Sequence, residues 1–476
     1  MIVSQDKNYA PSDIVLVMCP AWGVLQPPVS ISYLKSFLSR QGITVRCIDL
    51  SLDLYNQFPE KKFWDLNYPE YFILPPLFNN KVLPTVTPLL DRWAQKILSA
   101  RPKVIGFSLY MSNLNTSLLL ATHLRVLDPG VLIVGGGAEV NRIKRVAVDG
   151  IKAIAPINQD IFNIFDALII GEGEQSLWEL VSLLKRGHDY HTCDGIIYTQ
   201  GGEIVANKDR GLLGDLDMLA APDFDDFVLD EYLTTALPLV TSRGCINRCT
   251  FCADSPLWKT YRVLSPQKVF DDIENLIKKY GVMNFEIVDS TFNGDLRRVE
   301  EICDYIITSG INITWSAKAT IREGMSYGLL KKMREAGCCS LGYGIESASS
   351  QVLKDMKKNM DIDQAKRVIK DTHRAGIQAN CFFIIGYPTE TEEDFQQTLD
   401  FIEENAAYIN SFGQVTGCHI EEDSYLGLNV ARYGIAFKDD GWYSRVSTPQ
   451  IRRERLERFK TLARKLHRHY KCEVQL

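Results

Sequence analysis

Short apolar blocks, cut by glycine-rich or polar turns, alternate along the chain with stretches in which apolar residues return at steps of three and four. The first kind reads as buried strand and the second as amphipathic helix. Residues 14–18 (Ile-Val-Leu-Val-Met), 44–48, 104–107, 131–134 and 167–170 are of the first kind. Ile31, Leu34, Phe37 and Leu38, residues 118–127 and residues 178–184 are of the second. Strands that are apolar without alternation are covered on both faces, so residues 1–190 are expected to form a doubly wound α/β unit around a parallel sheet. Ligands on such sheets bind beyond the carboxyl ends of the strands, which singles out the loops 19–28, 108–117, 135–140 and 171–175.

Between 191 and 235 the pattern changes. Ile196-Ile197-Tyr198 and Ile204-Val205 flank Gly201-Gly202 as a hairpin, and Leu219-Ala220-Ala221-Pro222-Asp223 is rich in turn formers, so this stretch reads as a connector. Strand and helix then alternate again, with strands at 237–240, 284–288, 311–317, 340–345, Gln378–Ile385 and 414–420 and helices such as Pro266–Tyr280 and 299–309 between them. That order predicts a parallel barrel or partial barrel over 236–415, with its chemistry at the strand C-termini. A C-terminal extension, 416–476, ends in a basic helical stretch where Arg452, Arg453, Arg455, Arg458 and Lys460 stand among Ile451, Leu456, Phe459, Leu462 and Leu466. It reads as a solvated helix packed on the barrel in preference to a nucleic-acid or membrane-surface element.

Length and composition narrow the classes. At 476 residues the chain is too long for one ordinary core. A formal charge of -6 gives no general grip on nucleic acid. Residues 1–12 lack the charged and apolar regions of a signal peptide, and no run of about twenty apolar residues offers a membrane span. A cytoplasmic location is expected, and the twelve cysteines suit that reducing compartment.

Three of those cysteines form a C-x3-C-x2-C triplet, Cys245, Cys249 and Cys252, directly after the apolar run 237–240. Three thiolates would leave one iron of a four-iron four-sulfur cluster free for a ligand other than protein. A structural zinc site wants four ligands, and the nearest preceding histidine, His191, is far back. Buried packing is a further reading, but these cysteines alternate with Asn247, Arg248 and Thr250 in a loop. The fragment, with Phe251 before its last cysteine, resembles the cluster loop of the radical S-adenosylmethionine (radical SAM) enzymes. The resemblance implies that the open iron chelates S-adenosylmethionine, whose reductive cleavage gives a 5'-deoxyadenosyl radical.

Further segments carry the same resemblance. Asp289, Ser290 and Thr291 end the strand 284–288, where the family places the methionine part of the cofactor; helix capping by Ser290 or Asn293 competes with that role. Gly342-Tyr343-Gly344-Ile345-Glu346-Ser347 resembles the segment that faces the ribose, with Glu346 as the contacting acid beside Ser347. The turn at Gly386-Tyr387-Pro388 resembles the one beside the adenine, while Thr391 and Glu393 read as caps of the next helix. At the end of the third strand, where relatives often have an arginine, stand Lys318 and Thr320 with Arg322 nearby, which leaves the contact to the cofactor carboxylate unassigned. Cys418 and Cys472 stand alone, so a single cluster is expected, and Cys338-Cys339 read as packing residues.

A doubly wound domain followed by such a barrel resembles the cobalamin-dependent, class B radical SAM methyltransferases. The expected fold is thus an N-terminal Rossmann-like cobalamin-binding domain (1–190), a hairpin linker (191–235), a partial (β/α)6 TIM barrel forming the radical SAM core (236–415) and the helical C-terminal extension. Cobalamin would meet the loops at Trp22 and Ser108, the Gly135-Gly136-Gly137 turn and the loop at Glu172. No Asp-x-His-x-x-Gly pattern supplies a histidine to cobalt, and His123 lies in a helical stretch. The implied activity is methyl transfer to an unactivated carbon or phosphorus of a small molecule, with a radical cyclase, rearrangement or oxidation enzyme of the same architecture as the alternative. Its partners would be a small-molecule substrate and an electron donor such as flavodoxin or ferredoxin. His419, Glu421, Glu422, Asp423, Tyr425, Trp442 and Tyr443 would line a substrate pocket or form an exposed acidic turn.

Overall fold

A computed structural model of the chain describes residues 10–58, 60, 70–151, 158–438, 440–470 and 473–474. Most of the N-terminal stretch 1–12 and Cys472 lie outside the described residues. The chain divides into two compact units, Met1–Gly214 with Met218–Thr235, and Asp215–Asp217 with Ala236–Leu476.

In the first unit, β1 (Ile14–Met18), β2 (Val45–Asp49), β3 (Val104–Ser108), β4 (Leu132–Gly136) and β5 (Ala167–Ile169) are parallel neighbours in the order β2-β1-β3-β4-β5. Every residue of β1 and β3 is buried, as unalternating apolar runs require. In this order the chain reverses direction across the sheet between β1 and β3, and their outgoing loops form the crevice at which such sheets bind ligands. The 191–235 stretch is not a free connector. Its hairpin, β6 (Ile196–Gln200) and β7 (Glu203–Ala206), extends the sheet antiparallel beside β5. The rest is strapped down: Asp226 pairs with Lys35 and Arg46, Asp223 pairs with Lys35 at 3.0 Å, and the Tyr232 hydroxyl donates to Asp49 at 2.8 Å.

Glycine run 135–137 shows its use here. A Cβ on Gly135 would lie 2.7 Å from Leu109 Cδ1, and one on Gly137, whose φ is 112°, would lie 2.7 Å from the Leu109 carbonyl oxygen. The run therefore lets the β3 and β4 loops touch backbone to backbone. Gly137→Val is expected to cost about 3 kcal/mol through strain and overlap, seen as a lower denaturation midpoint of the first unit; an unchanged midpoint would refute the packing role.

The second unit is a sheet of parallel strands in the order β18-β15-β14-β13-β12-β11-β8. It starts with β8 (Leu237–Leu239); β9 (Ser242–Arg243) and β10 (Arg262–Val263) then pair antiparallel and bracket the cysteine loop. β11 (Asn284–Ile287), β12 (Thr314–Ala319), β13 (Cys338–Glu346), β14 (Gln378–Ile385) and β15 (Ser411–Gly417) complete the six barrel strands. β16 (Ala436–Lys438) and β17 (Gly441–Tyr443) form a hairpin, and β18 (Glu473–Val474) returns to pair with β15. Helix boundaries follow local signals: Ser265 caps Pro266–Tyr280, with Pro266 in the first turn and Gly281 at φ 69° as its stop. Thr391 caps Glu392–Asn405 in a reciprocal capping box with Asp394, not Glu393. The C-terminal helix Pro449–Tyr470 lies on the barrel, with Arg452 and Arg455 buried and Arg455 paired to Glu390 at 3.0 Å. Among the described residues no helix is long and apolar enough to cross a membrane.

Candidate functional site

Cys245, Cys249 and Cys252 lie on the loop that leaves β9, at the carboxyl end of the first barrel strand. Gly244, at φ 87°, lets the backbone close against the Thr260 carbonyl. Three remote segments then pin Thr250 in the middle of the loop. Its N–H donates to Met356 O at 2.9 Å, its carbonyl accepts from Leu426 N at 2.7 Å, and its hydroxyl is 2.8 Å from the Tyr387 hydroxyl. Cys249 is buried, Cys245 and Cys252 are partly exposed, and Phe251 is half-buried between them. Burial pushes the Cys249 thiol up to about 12 against the nearby Lys358 ammonium. Bound iron reverses that preference, since a coordinated thiol is deprotonated. Among the described residues no three His, Cys, Asp or Glu side chains converge as a single ion requires. Three thiols spread along one loop suit a polynuclear cluster, whose irons take one thiolate each.

The loop rests on Asp289. One oxygen of Asp289 accepts Thr241 N at 2.7 Å; the other accepts the Thr241 hydroxyl at 2.6 Å and the Ser242 hydroxyl at 2.7 Å. Burial raises its pKa, opposed by these bonds and by Arg298. Three of its roughly four acceptor sites are thus engaged by the segment that enters the cysteine loop, and Asp289 positions that loop. Ser290 donates to Asp254 at 2.6 Å, and Thr291 places its hydroxyl 2.8 Å from Cys245 Sγ. Neither Ser290 nor Asn293 caps the next helix, a role taken by Asp295. Asn293 instead exchanges bonds of 2.8 Å with the Thr320 backbone, and Asn247 donates to the Thr320 hydroxyl at 3.0 Å, which ties the third barrel strand to the cysteine loop. Asp289→Ala removes three charge-assisted bonds and is expected to cost about 3 kcal/mol and to lower iron retained after anaerobic desalting; full retention would refute its role.

Glu346 ends β13 at φ 66°, a left-handed conformation that a non-glycine residue rarely takes. Such strain collects at functional sites. Its side chain is 13% exposed and pairs at 3.3 Å with Lys358, itself 8% exposed. Lys358 is the residue that sequence reasoning missed. Its ammonium interacts with Glu346, Cys249 and Cys245, which brings a cation beside the thiols, whereas in the sequence Lys318, Thr320 and Arg322 leave the contact to the cofactor carboxylate unassigned. The available signal was a lysine pair, Lys357-Lys358, following the short helix after Glu346. Ser347 is buried, 3.4 Å from the Thr398 hydroxyl, and accepts from Ser349 N at 3.2 Å. Gly386 has φ 79°, but the space a Cβ would occupy is held by Arg452, and its N–H donates to Glu390 at 2.7 Å. That glycine admits the C-terminal helix.

In the first unit, Trp22 and Tyr110 bring the β1 and β3 loops together, with ring centroids 4.3 Å apart. Ser108 lies 3.3 Å from Ser30, hydroxyl to hydroxyl. Gly135 and Gly137 pack against Leu109, as described, and the Gly136 carbonyl accepts from Leu109 N at 2.6 Å. Glu172 accepts Leu213 N at 2.6 Å, which makes it a tie within the unit. His123 is 2.7 Å from Asp91. Of the residues considered for a substrate pocket, Trp442 is committed to packing, donating to Cys418 O at 3.0 Å beneath Arg452, and Tyr425 stacks under Lys357.

Residues 239–402 match the Radical SAM superfamily. An uncharacterized methyltransferase of Pyrococcus horikoshii is 28% identical over 63% of this chain and 64% of its own length. The anaerobic magnesium-protoporphyrin IX monomethyl ester cyclase of Rubrivivax gelatinosus is 30% identical over 49% of this chain and 44% of its own. The chain thus spans less than two thirds of the first of these relatives and under half of the second. Among solved structures, the radical S-adenosylmethionine methyltransferase TsrM of Kitasatospora setae, solved with tryptophan and a cofactor analogue, superposes with a TM-score of 0.66 at 17% identity, covering 88% of this chain and 76% of that one. The same protein has been solved with cobalamin and a four-iron four-sulfur cluster. At this identity the likeness is one of fold.

Proposed function

We propose that this chain is a cobalamin-dependent radical SAM methyltransferase acting on a small molecule, a reading supported by the match of residues 239–402 to the Radical SAM superfamily. The observation that carries the reading is the three-cysteine loop on the first parallel strand together with the Lys358–Glu346 pair beside it. Cys245, Cys249 and Cys252 would hold a four-iron four-sulfur cluster and leave one iron for S-adenosylmethionine. Lys358 suits the carboxylate of that cofactor, Glu346 a ribose diol, and Thr291 and Phe251 flank the thiols. The chemistry supplied when these groups are bound is reductive cleavage of S-adenosylmethionine to a 5'-deoxyadenosyl radical. The protein's part is to fix the loop through Thr250 and Asp289, orient the bound groups and keep out water.

The first unit, through about residue 190, is proposed as the cobalamin-binding domain. Its strand order opens the crevice between β1 and β3, and Trp22, Tyr110, Ser30 and Ser108 line that crevice with aromatic and hydroxyl groups. No histidine stands on residues 19–28 or 108–117, so cobalt there would lack an imidazole ligand. The protein would act in the cytoplasm with flavodoxin or ferredoxin as reductant. Likeness to the cyclase keeps a second reading open, radical oxidation or cyclisation without methyl transfer.

Anaerobic reconstitution with iron, sulfide and hydroxocobalamin, followed by metal analysis and product assay, tests the proposal. About four iron and about one cobalt per chain, with 5'-deoxyadenosine and S-adenosylhomocysteine formed together, is the expected result. Iron and 5'-deoxyadenosine without cobalt or S-adenosylhomocysteine would favour the cyclase-like reading. Failure to form 5'-deoxyadenosine would overturn both.

A further inference from the structure

The inner face of the barrel holds a cation that no described residue pairs with. Along β12 burial alternates: Trp315, Ala317 and Ala319 are buried, whereas Ser316 is partly exposed and Lys318 exposed. Lys318 therefore stands on the face away from the helices, level with Gly342 of β13. No hydrogen-bond or ion-pair partner of Lys318 is found among the described residues. Its polar neighbours on that face satisfy one another: Asn380 donates to the Ser340 hydroxyl at 2.7 Å and accepts from Ser411 at 2.7 Å. Glu286, the acid nearest by register, sits level with Ser316, two positions back from Lys318.

Beside the cation lies an apolar floor. A Cβ on Gly342 would fall 2.6 Å from Phe382 Cζ, and one on Gly413 would fall 2.6 Å from Phe382 Cε1. The half-buried Phe382 ring thus spreads over a glycine on each neighbouring strand and presents a flat surface next to Lys318. The second glycine of β13, Gly344, makes room for the Glu346–Lys358 pair at the strand end.

We propose that Lys318 and Phe382 recognise the substrate, the ammonium taking an anionic group and the ring a flat apolar body attached to it. This rests on the barrel being the site of radical chemistry, where Glu346 and Lys358 serve the cofactor and leave the charge of Lys318 unclaimed. An unpaired lysine beside an aromatic floor selects amphipathic anions over their neutral analogues, because a charge-assisted hydrogen bond forms only with the anion.

Ligand-observed NMR on the reconstituted full chain, with 1-naphthoate and its neutral counterpart 1-naphthylmethanol as probes, tests the pairing. Wild type is expected to bind the acid about tenfold more tightly than the alcohol. Lys318→Met should abolish that preference, Lys318→Arg should retain it, and Phe382→Ala should weaken both probes. Equal binding of the two probes by wild type, or a preference that survives Lys318→Met, would overturn the proposal. So would loss of S-adenosylmethionine affinity in Lys318→Met, since the ammonium would then belong to the cofactor. Formation of 5'-deoxyadenosine by the same wild-type preparation reports separately on the radical reading.

Discussion

Chains carrying Cys249→Ala are expected to keep their fold and lose their iron, from about four per chain to near zero after desalting, with 5'-deoxyadenosine formation falling below detection. The fold should survive because the loop is not held by its cysteines. Thr250 is anchored on Met356, Leu426 and Tyr387, and the loop's entry is anchored on Asp289. The iron should not survive, because three thiolates are already one fewer than a cluster fully ligated by protein would have, and removal of the most buried one leaves two partly exposed donors. Circular dichroism and iron content measured on one sample separate the two effects. A variant that retains four iron would show that the loop is not the cluster site, and one that unfolds would show that the thiols pack as core.

The second large effect is one of stability. Arg455 and Glu390 are 5% and 0% exposed, and their side chains meet at 3.0 Å. Glu390 also accepts Gly386 N at 2.7 Å with the same oxygen, while its other oxygen is buried without a hydrogen-bond partner among the described residues. Arg455→Met strands that carboxylate and is expected to cost about 3–5 kcal/mol at pH 8. Burial holds the Glu390 carboxyl at about 7 in the folded chain against an ordinary value of 4.5. Because the folded pKa is the higher one, its contribution to stability is fully present below about pH 4.5 and is lost as pH rises through about 7. Without the arginine the carboxyl is pushed higher still, so the variant's deficit should be smallest near pH 5 and grow toward pH 8. Thermal unfolding of both proteins across that range checks the sign; a deficit that does not change with pH would mean that Arg455 acts through packing alone.

Legibility in the sequence followed the length scale of the interaction. β1 and β14 read out to the residue, and the cysteine triplet reads as a cluster site through its spacing together with its resemblance to the radical SAM loop. The glycines at 135–137 are ambiguous in sequence because a bound ligand and the Leu109 backbone make the same demand, a residue without a Cβ. Asp289 is ambiguous for a related reason, since a carboxylate at a strand end accepts loop donors as readily as a ligand. The Lys358–Glu346 pair was invisible because no periodicity links a strand end to a lysine beyond the following helix. β18 was equally hidden, since two residues are too few to show alternation.

The anchoring of Thr250 bears on the order of events during synthesis. A chain growing from its N-terminus completes Cys252 well before Leu426 has been made, and its domains fold largely as units as they emerge. Until Leu426 emerges, one of the three tethers of Thr250 is missing, while those to Met356 and Tyr387 and the anchor on Asp289 can already form. The C-terminal extension thus steadies the cysteine loop as well as covering the barrel, and it is made after the thiols that it steadies.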